Sequence, residues 1–508
     1  MNGSIGILIT VLLYEIVSIG GVSLYLVNKE KKTKRKIADA GDDFVTADRS
    51  MGSPLVGVSL ALAVLGAVHV FGIMEMTWGM GAASIWFSIA HVTTLSVVCL
   101  FTGRWLRRVG VATVPELVQK LFGKKVAVVI ACVVAGQTFA ILSMEVQALG
   151  IIFNTLTFNT ISIQMGTVIG GIIGIAYVIT AGMKEVGFVN MINTIVMYVG
   201  LIVGIIVLSS ALKDPIGGWA GVKDYYTSNK MQDMISIFGS GNTFLTFGIS
   251  NIIAVTFAQG ISQMGIQSAL AAKDEGTIAR ALWIAAPVNG IFGIFTMTMG
   301  LAAKALYDTG NLHIANEAVA AKTAGASMIV QYLPSWVIAW LLAAFLGAVL
   351  STFAVTTMGL GVLFANNIYT LKNPNADGKK KLTITRIFIV VSAIIAMGAA
   401  SFLPEIVNGA TWAFAWLVPL FWNVVYGLFW KRNSKAALAT FIVSWVLILI
   451  WTYTPIPLAL GVGGIPLPYI TLFVVIVLGV ILNAMLPGGK EGLFKEQKRL
   501  QREAKVTA

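Results

Sequence analysis

Thirteen apolar runs of membrane-spanning length recur along this chain, and they leave few folds open to it. They fall at about 4–27, 54–80, 82–103, 126–155, 163–182, 186–211, 242–268, 279–306, 335–369, 384–403, 407–430, 436–453 and 467–487. A crossing takes roughly 20 apolar residues, so 508 residues are nearly used up by the runs themselves. Only 11% of residues are charged, against roughly 25% in soluble domains. A soluble enzyme or a disordered chain is thereby excluded, and an all-α polytopic membrane protein of about 13 transmembrane helices is expected. The two cysteines, Cys99 and Cys132, lie within apolar runs and make neither a disulfide framework nor a metal cluster. The first run has no positive segment before it and its charges follow it, so it reads as a retained helix rather than a signal peptide.

The charges divide unevenly between alternate loops. The net charge is +13, which in a soluble chain would suggest nucleic acid. Here excess Lys and Arg mark cytoplasmic loops, and no basic stretch has the interleaved aromatics of a single-strand binder. If the tail is cytoplasmic, 30 Lys and Arg residues fall inside and five outside: Lys213, Lys223, Lys230, Lys304 and Lys322. The expected protein lies in the cell membrane with its N-terminus outside and its C-terminus in the cytoplasm. No loop is long enough for a folded domain. The outer loops at about 212–241 and 307–334 have room for short surface helices. The tail, 488–508, reads as a solvated or weakly helical segment, with a surface helix as the alternative.

Two runs are interrupted. The second carries His69 between Gly66 and Gly72, and the seventh carries Gln259-Gly260-Ile261-Ser262-Gln263. In lipid an unwound backbone is tolerated only around a cavity, where freed carbonyls and half-helix ends can hold a cation or a charged solute. Close helix packing is the alternative use of such glycines. The two runs lie five spans apart, an odd offset that an inverted five-helix repeat requires.

Four segments in order then resemble the solute:sodium symporter family, which includes the bacterial sodium/galactose and sodium/proline carriers. They are Asp42 to Leu62, Gln267-Ser268-Ala269-Leu270-Ala271-Ala272-Lys273-Asp274, Leu341 to Tyr369, and Gly427 to Thr440. The resemblance implies a leucine-transporter-type inverted repeat. Its first half would be 54–211 and its second 242–430, after an extra N-terminal helix at 4–27. Two C-terminal helices at 436–487 and the cytoplasmic tail would follow. It also implies a sodium site. Ala348, Ser351 and Thr352 are spaced i, i+3, i+4 on one helix face, and the family's pattern adds the carbonyls of Leu62 and Leu65. Back-bonding of the two hydroxyls to the preceding turn is the alternative role. The chain departs from the family where Asn190 replaces an acid on the cation path, Asn193 a Gln, and Ser268 an Arg.

By the same resemblance His69, Ser262, Gln263 and Trp412 face the solute cavity or its gate, and Glu75 lies towards the outer mouth. His91 and Glu145 are ionisable groups within spans, functional candidates by default, with no role assigned. The reading is a secondary active transporter, not an enzyme. It would carry a small-molecule solute with sodium as the transported ion across a lipid bilayer, with a monomer among the allowed states. A proton-coupled or uncoupled carrier, suggested by Asn190 and His69, and a transporter-like solute sensor are the alternatives.

Overall fold

A computed structural model describes residues 2–31, 44, 46–158, 160–180, 182–314, 317–373, 375–400 and 406–507. Much of the basic run at 29–36, the start of the Asp42 segment and Ala181 lie outside them. The described chain is almost entirely helical, because a helix satisfies every backbone polar group within its own segment. The principal helices of the first half are α1 (Asn2–Lys31), α2 (Ser53–Ala63), α3 (Ile73–Met80), α4 (Trp86–Val97), α5 (Lys124–Leu156), α6 (Ile163–Thr180) and α7 (Met183–Ala211). Those of the second half are α8 (Ser250–Gln259), α9 (Gln263–Leu270), α10 (Glu275–Asp308), α11 (Ser335–Phe364), α12 (Gly378–Ala400), α13 (Ile406–Ala415) and α14 (Val418–Phe429). They are followed by α15 (Ser434–Tyr453), α16 (Leu467–Met485) and α17 (Leu493–Thr507).

Among the described residues 11 helices are long and apolar enough to cross a membrane, and two more apolar helices, Ser53–Ala63 and Ile163–Ile179, are shorter. Two features separate this count from the sequence pattern. The second run is cut in two, so α2 falls below spanning length by itself. Gly81, at φ 57°, turns the chain within the longest apolar stretch, Val68–Val109.

Burial identifies the centre of the bundle. The most apolar window of the α11 span is 94% buried, against 28% for those at α1, α12 and α16. The helix α7 lies against α11, where Trp340 Nε1 donates to the Val196 carbonyl at 2.9 Å and Asn193 Nδ2 to the Gly347 carbonyl at 3.3 Å. The loops at about 212–241 and 307–334 hold short helices, among them Gly218–Ser228 and Ala320–Tyr332.

Both interrupted runs are broken helices. The first is unwound between Ala63 and Ala67 and resumes through a wide π-type turn, Val68–Gly72, into α3. The second is unwound at Gly260–Ser262 between α8 and α9. The segments flanking them are tied together: Met51 N donates to the Ala271 carbonyl at 3.0 Å, and Lys273 N to the Met51 carbonyl at 3.1 Å. Asp274 then caps α10, accepting from Thr277 N at 2.6 Å. The Ala-Ala-Lys-Asp motif therefore has a structural use, as a backbone clasp followed by a helix cap.

The tail differs from the expectation of a solvated segment. Lys431–Arg432 pairs antiparallel with Lys490–Glu491, and α17 docks beside this ribbon. Arg432 donates to Glu496 at 2.6 Å, and Phe494 packs edge-on against Phe429 with ring centroids 5.4 Å apart. Lys and Glu composition alone concealed the one phenyl ring that anchors the helix. Arg432→Ala is expected to weaken tail docking by about 2 kcal/mol. Amide exchange across 493–507 should then accelerate by more than about tenfold; unchanged exchange would show that the ion pair contributes nothing.

Candidate functional site

The first break sits against the middle of α11. Thr352 Oγ1 donates to the Leu62 carbonyl at 2.7 Å and lies 3.4 Å from the Ala348 carbonyl one turn back. One hydroxyl thus bridges the last turn of α2 and the centre of α11. Ser351 is 1% exposed, and its hydroxyl has no hydrogen-bond partner among the described residues. Leu62, Leu65 and Ala348 are fully buried. The structure therefore brings Leu62, Ala348 and Thr352 into direct contact, with Ser351 one residue away. Carbonyl and hydroxyl oxygens at an unwound segment are the donors that suit a small hard cation.

Beside these oxygens lies a small cavity of about 20 Å³, room for about one water-sized species. Both broken helices line it, through Gly66 and His69 on one side and Gln259 and Met264 on the other. Thr352 reaches it from α11 and Glu145 from α5. The Glu145 carboxylate accepts from the Ala67 amide at 2.9 Å, at the head of the second half-helix. This requires a glycine at 66, since a Cβ there would lie 2.2 Å from Glu145 Oε1. His69 and His91 meet edge-to-face with centroids 4.5 Å apart, and His91 Nδ1 is 2.9 Å from the Phe87 carbonyl.

Not every expected cavity residue reaches this space. Ser262 caps α9, accepting from Gly265 N at 3.1 Å and donating to Gln259 Oε1 at 2.9 Å. Gln263 accepts from Val114 N at 3.0 Å and donates to Gln267 Oε1 at 2.7 Å, so it fastens the start of the neighbouring helix Val114–Phe122. Glu75 is on α3 at 9% exposure and does not line the cavity. Trp412 packs edge-on to Trp416 at 5.5 Å, and Phe414, two residues on, lines the cavity instead. Asn190 lies on α7 and is fully buried, with neither amide atom hydrogen-bonded among the described residues.

Sequence reasoning singled out Glu145 without giving it a use, and passed over Gln259, Phe87 and Phe414. The signal for Glu145 was its isolation, as the one acid in the 33-residue helix α5. Nothing in the sequence distinguishes the two phenylalanines from packing residues.

Comparison with known proteins agrees with this architecture. A model of the sodium:solute symporter family matches residues 44–444. An uncharacterized symporter of Escherichia coli (strain K12) is 23% identical over 443 residues, covering 82% of this chain and 75% of its own length. A sodium/glucose cotransporter of Vibrio parahaemolyticus is 24% identical over 462 residues, covering 86% and 83%. The solved substrate-bound, outward-open structure of a Na+-coupled sialic acid symporter shares the fold. Its TM-score is 0.78 at 17% identity, over 96% of this chain and 99% of that one. The chain belongs to the sodium:solute symporter family, so it is a multi-pass membrane transporter rather than an enzyme, with sodium as a transported coupling ion and not a prosthetic group.

Proposed function

We propose that this chain moves a small organic solute into the cell together with sodium by alternating access. Sodium binds among the carbonyls of Leu62, Leu65 and Ala348 and the hydroxyls of Ser351 and Thr352. The observation that carries this reading is the 2.7 Å contact between Thr352 Oγ1 and the Leu62 carbonyl, which joins groups 290 residues apart at an unwound helix. The partnerless Ser351 hydroxyl supports it, because a buried polar atom left unpaired costs about 1–3 kcal/mol unless something pairs it. The solute occupies the space between the two broken helices. Asn190 lies on the path by which the cation leaves, and Glu75 and Trp412 stand towards the outer mouth.

The chain crosses the membrane thirteen times in this reading, counting the broken second run and the short fifth run as one crossing each. Spans two to six and seven to eleven form the inverted repeat, with both broken helices leading their halves. The 30-to-five division of Lys and Arg supports an N-terminus outside and a tail in the cytoplasm, and a monomer suffices for transport in this reading. At about 20 Å³ the cavity has room for only a water-sized species, so the solute enters when one bundle rocks against the other. The membrane potential drives the coupled cation inward with about 2.3 kcal/mol per charge per 100 mV.

A thermal-shift titration of the purified protein tests the ion reading without knowledge of the solute. Sodium chloride is expected to raise the unfolding midpoint in a saturable way, with potassium chloride as the balancing salt. An equal response to potassium would sink the sodium site.

A further inference from the structure

We propose that the solute bears an organic ammonium group, which pairs with the Glu145 carboxylate inside the cavity. The proposal rests on the reading of this cavity as the solute site. Glu145 is 2% exposed, and among the described residues its one hydrogen-bond partner is the Ala67 amide. A carboxylate offers about four acceptor positions once ionised, and among the described residues one of them is used here. Burial disfavours the ionised carboxylate until an opposite charge arrives beside it. Among the described residues no Lys or Arg lines the cavity to supply that charge, and a cationic solute would.

The walls fit the same cargo. His69 and Phe87 have ring centroids 5.3 Å apart, Phe87 and His91 4.6 Å, and His91 and Phe414 6.3 Å. These four rings form a continuous surface beside the carboxylate, and all four line the cavity. A cation within about 6 Å of an aromatic face is attracted to it, most strongly when desolvated. A carboxylate flanked by rings suits an alkylated ammonium, whose charge is spread over methyl groups that also bury against apolar faces. A sugar would need several polar partners for its hydroxyls. The lining supplies few: Gln259, Thr352 and the two imidazoles. An anionic solute would meet Glu145 with like charge. Sodium has the oxygens of Leu62, Leu65, Ala348, Ser351 and Thr352 as its proposed ligands, so Glu145 is not needed as one of them.

The test uses purified full-length protein in saturating sodium, with tetramethylammonium, choline and methylamine as probes. Dimethylbutanol, the uncharged carbon isostere of choline, serves as control together with glucose and pyruvate. At least one ammonium probe is expected to raise the unfolding midpoint while its uncharged isostere does not. In Glu145→Gln that response should fall by at least tenfold in apparent affinity, with a monodisperse size-exclusion peak showing that the variant is folded. If that variant does not fold, Phe414→Leu removes one ring and should weaken ammonium binding about tenfold. The proposal is overturned if no ammonium probe shifts the midpoint, or if the isostere, glucose or pyruvate shifts it equally. It is equally overturned if Glu145→Gln binds the ammonium probe as tightly as the parent, or if a folded Phe414→Leu does. The sodium titration of the parent protein reads separately. A sodium response without an ammonium response removes this proposal and leaves the ion site standing, and an ammonium response without a sodium response does the reverse.

Discussion

Ser351→Ala combined with Thr352→Ala is expected to abolish the sodium-dependent rise in unfolding midpoint. The double change removes both hydroxyls from the proposed ligand set and leaves only backbone carbonyls. Thr352→Ala alone also takes the donor away from the Leu62 carbonyl, now 2.7 Å from Thr352 Oγ1. Losing a hydrogen-bond partner in a buried site costs about 1–3 kcal/mol, so this variant should be less stable even without sodium. Ser351→Ala behaves differently. Its hydroxyl has no protein partner among the described residues, so removing it should cost little stability in potassium and about tenfold or more in sodium affinity. That contrast separates an ion ligand from a packing hydroxyl. Thr352→Ser keeps the oxygen and should keep most of the sodium response. If Ser351→Ala leaves the sodium midpoint curve unchanged, Ser351 is not a ligand. If the double variant also responds normally, the site lies elsewhere.

The parts of this molecule that could be read from the sequence are those governed by one-dimensional patterns. Spanning runs follow from the length of apolar stretches, and eleven of them became helices of spanning length. The breaks were visible because glycine and polar residues interrupt otherwise apolar runs, and both fell within a few residues of the expected places. Ala348 and Thr352 share a face by helical periodicity alone, and the 3.4 Å approach of Thr352 Oγ1 to the Ala348 carbonyl is the back-bond to the preceding turn that such spacing also allows. Ser262 and Gln263 show the limit of the method. Polar residues beside an unwound turn have two physical uses, lining a cavity or satisfying freed helix ends. Here Ser262 caps α9 and Gln263 fastens Val114 N, choices made by neighbours that are remote in sequence. The same holds for Glu145. Its isolation in α5 marked it, but only the packing of α5 onto the first break shows that its carboxylate meets Ala67 N and Gly66.

That packing makes Gly66 the position where the smallest substitution should do the most. A Cβ at 66 would sit 2.2 Å from Glu145 Oε1 and 2.4 Å from Oε2, far inside van der Waals contact. Gly66→Ala must therefore push the carboxylate away or shift the unwound segment. Moving the carboxyl group breaks its bond to the Ala67 amide and leaves a buried polar group short of its donor. Moving the segment displaces the Leu62 and Leu65 carbonyls. Overpacking of this kind costs about 1–3 kcal/mol, and the lost hydrogen bond adds to it. Gly66→Ala is expected to lower the unfolding midpoint and to weaken both sodium and solute responses. The second substitution Glu145→Ala removes the atoms that the new methyl group strikes. Neighbours sharing one contact couple by about 0.5–3 kcal/mol, so the double variant should be more stable than the sum of the two single losses implies. Strictly additive losses would mean that residue 66 and the carboxylate do not touch, and that Glu145 approaches the break from another direction.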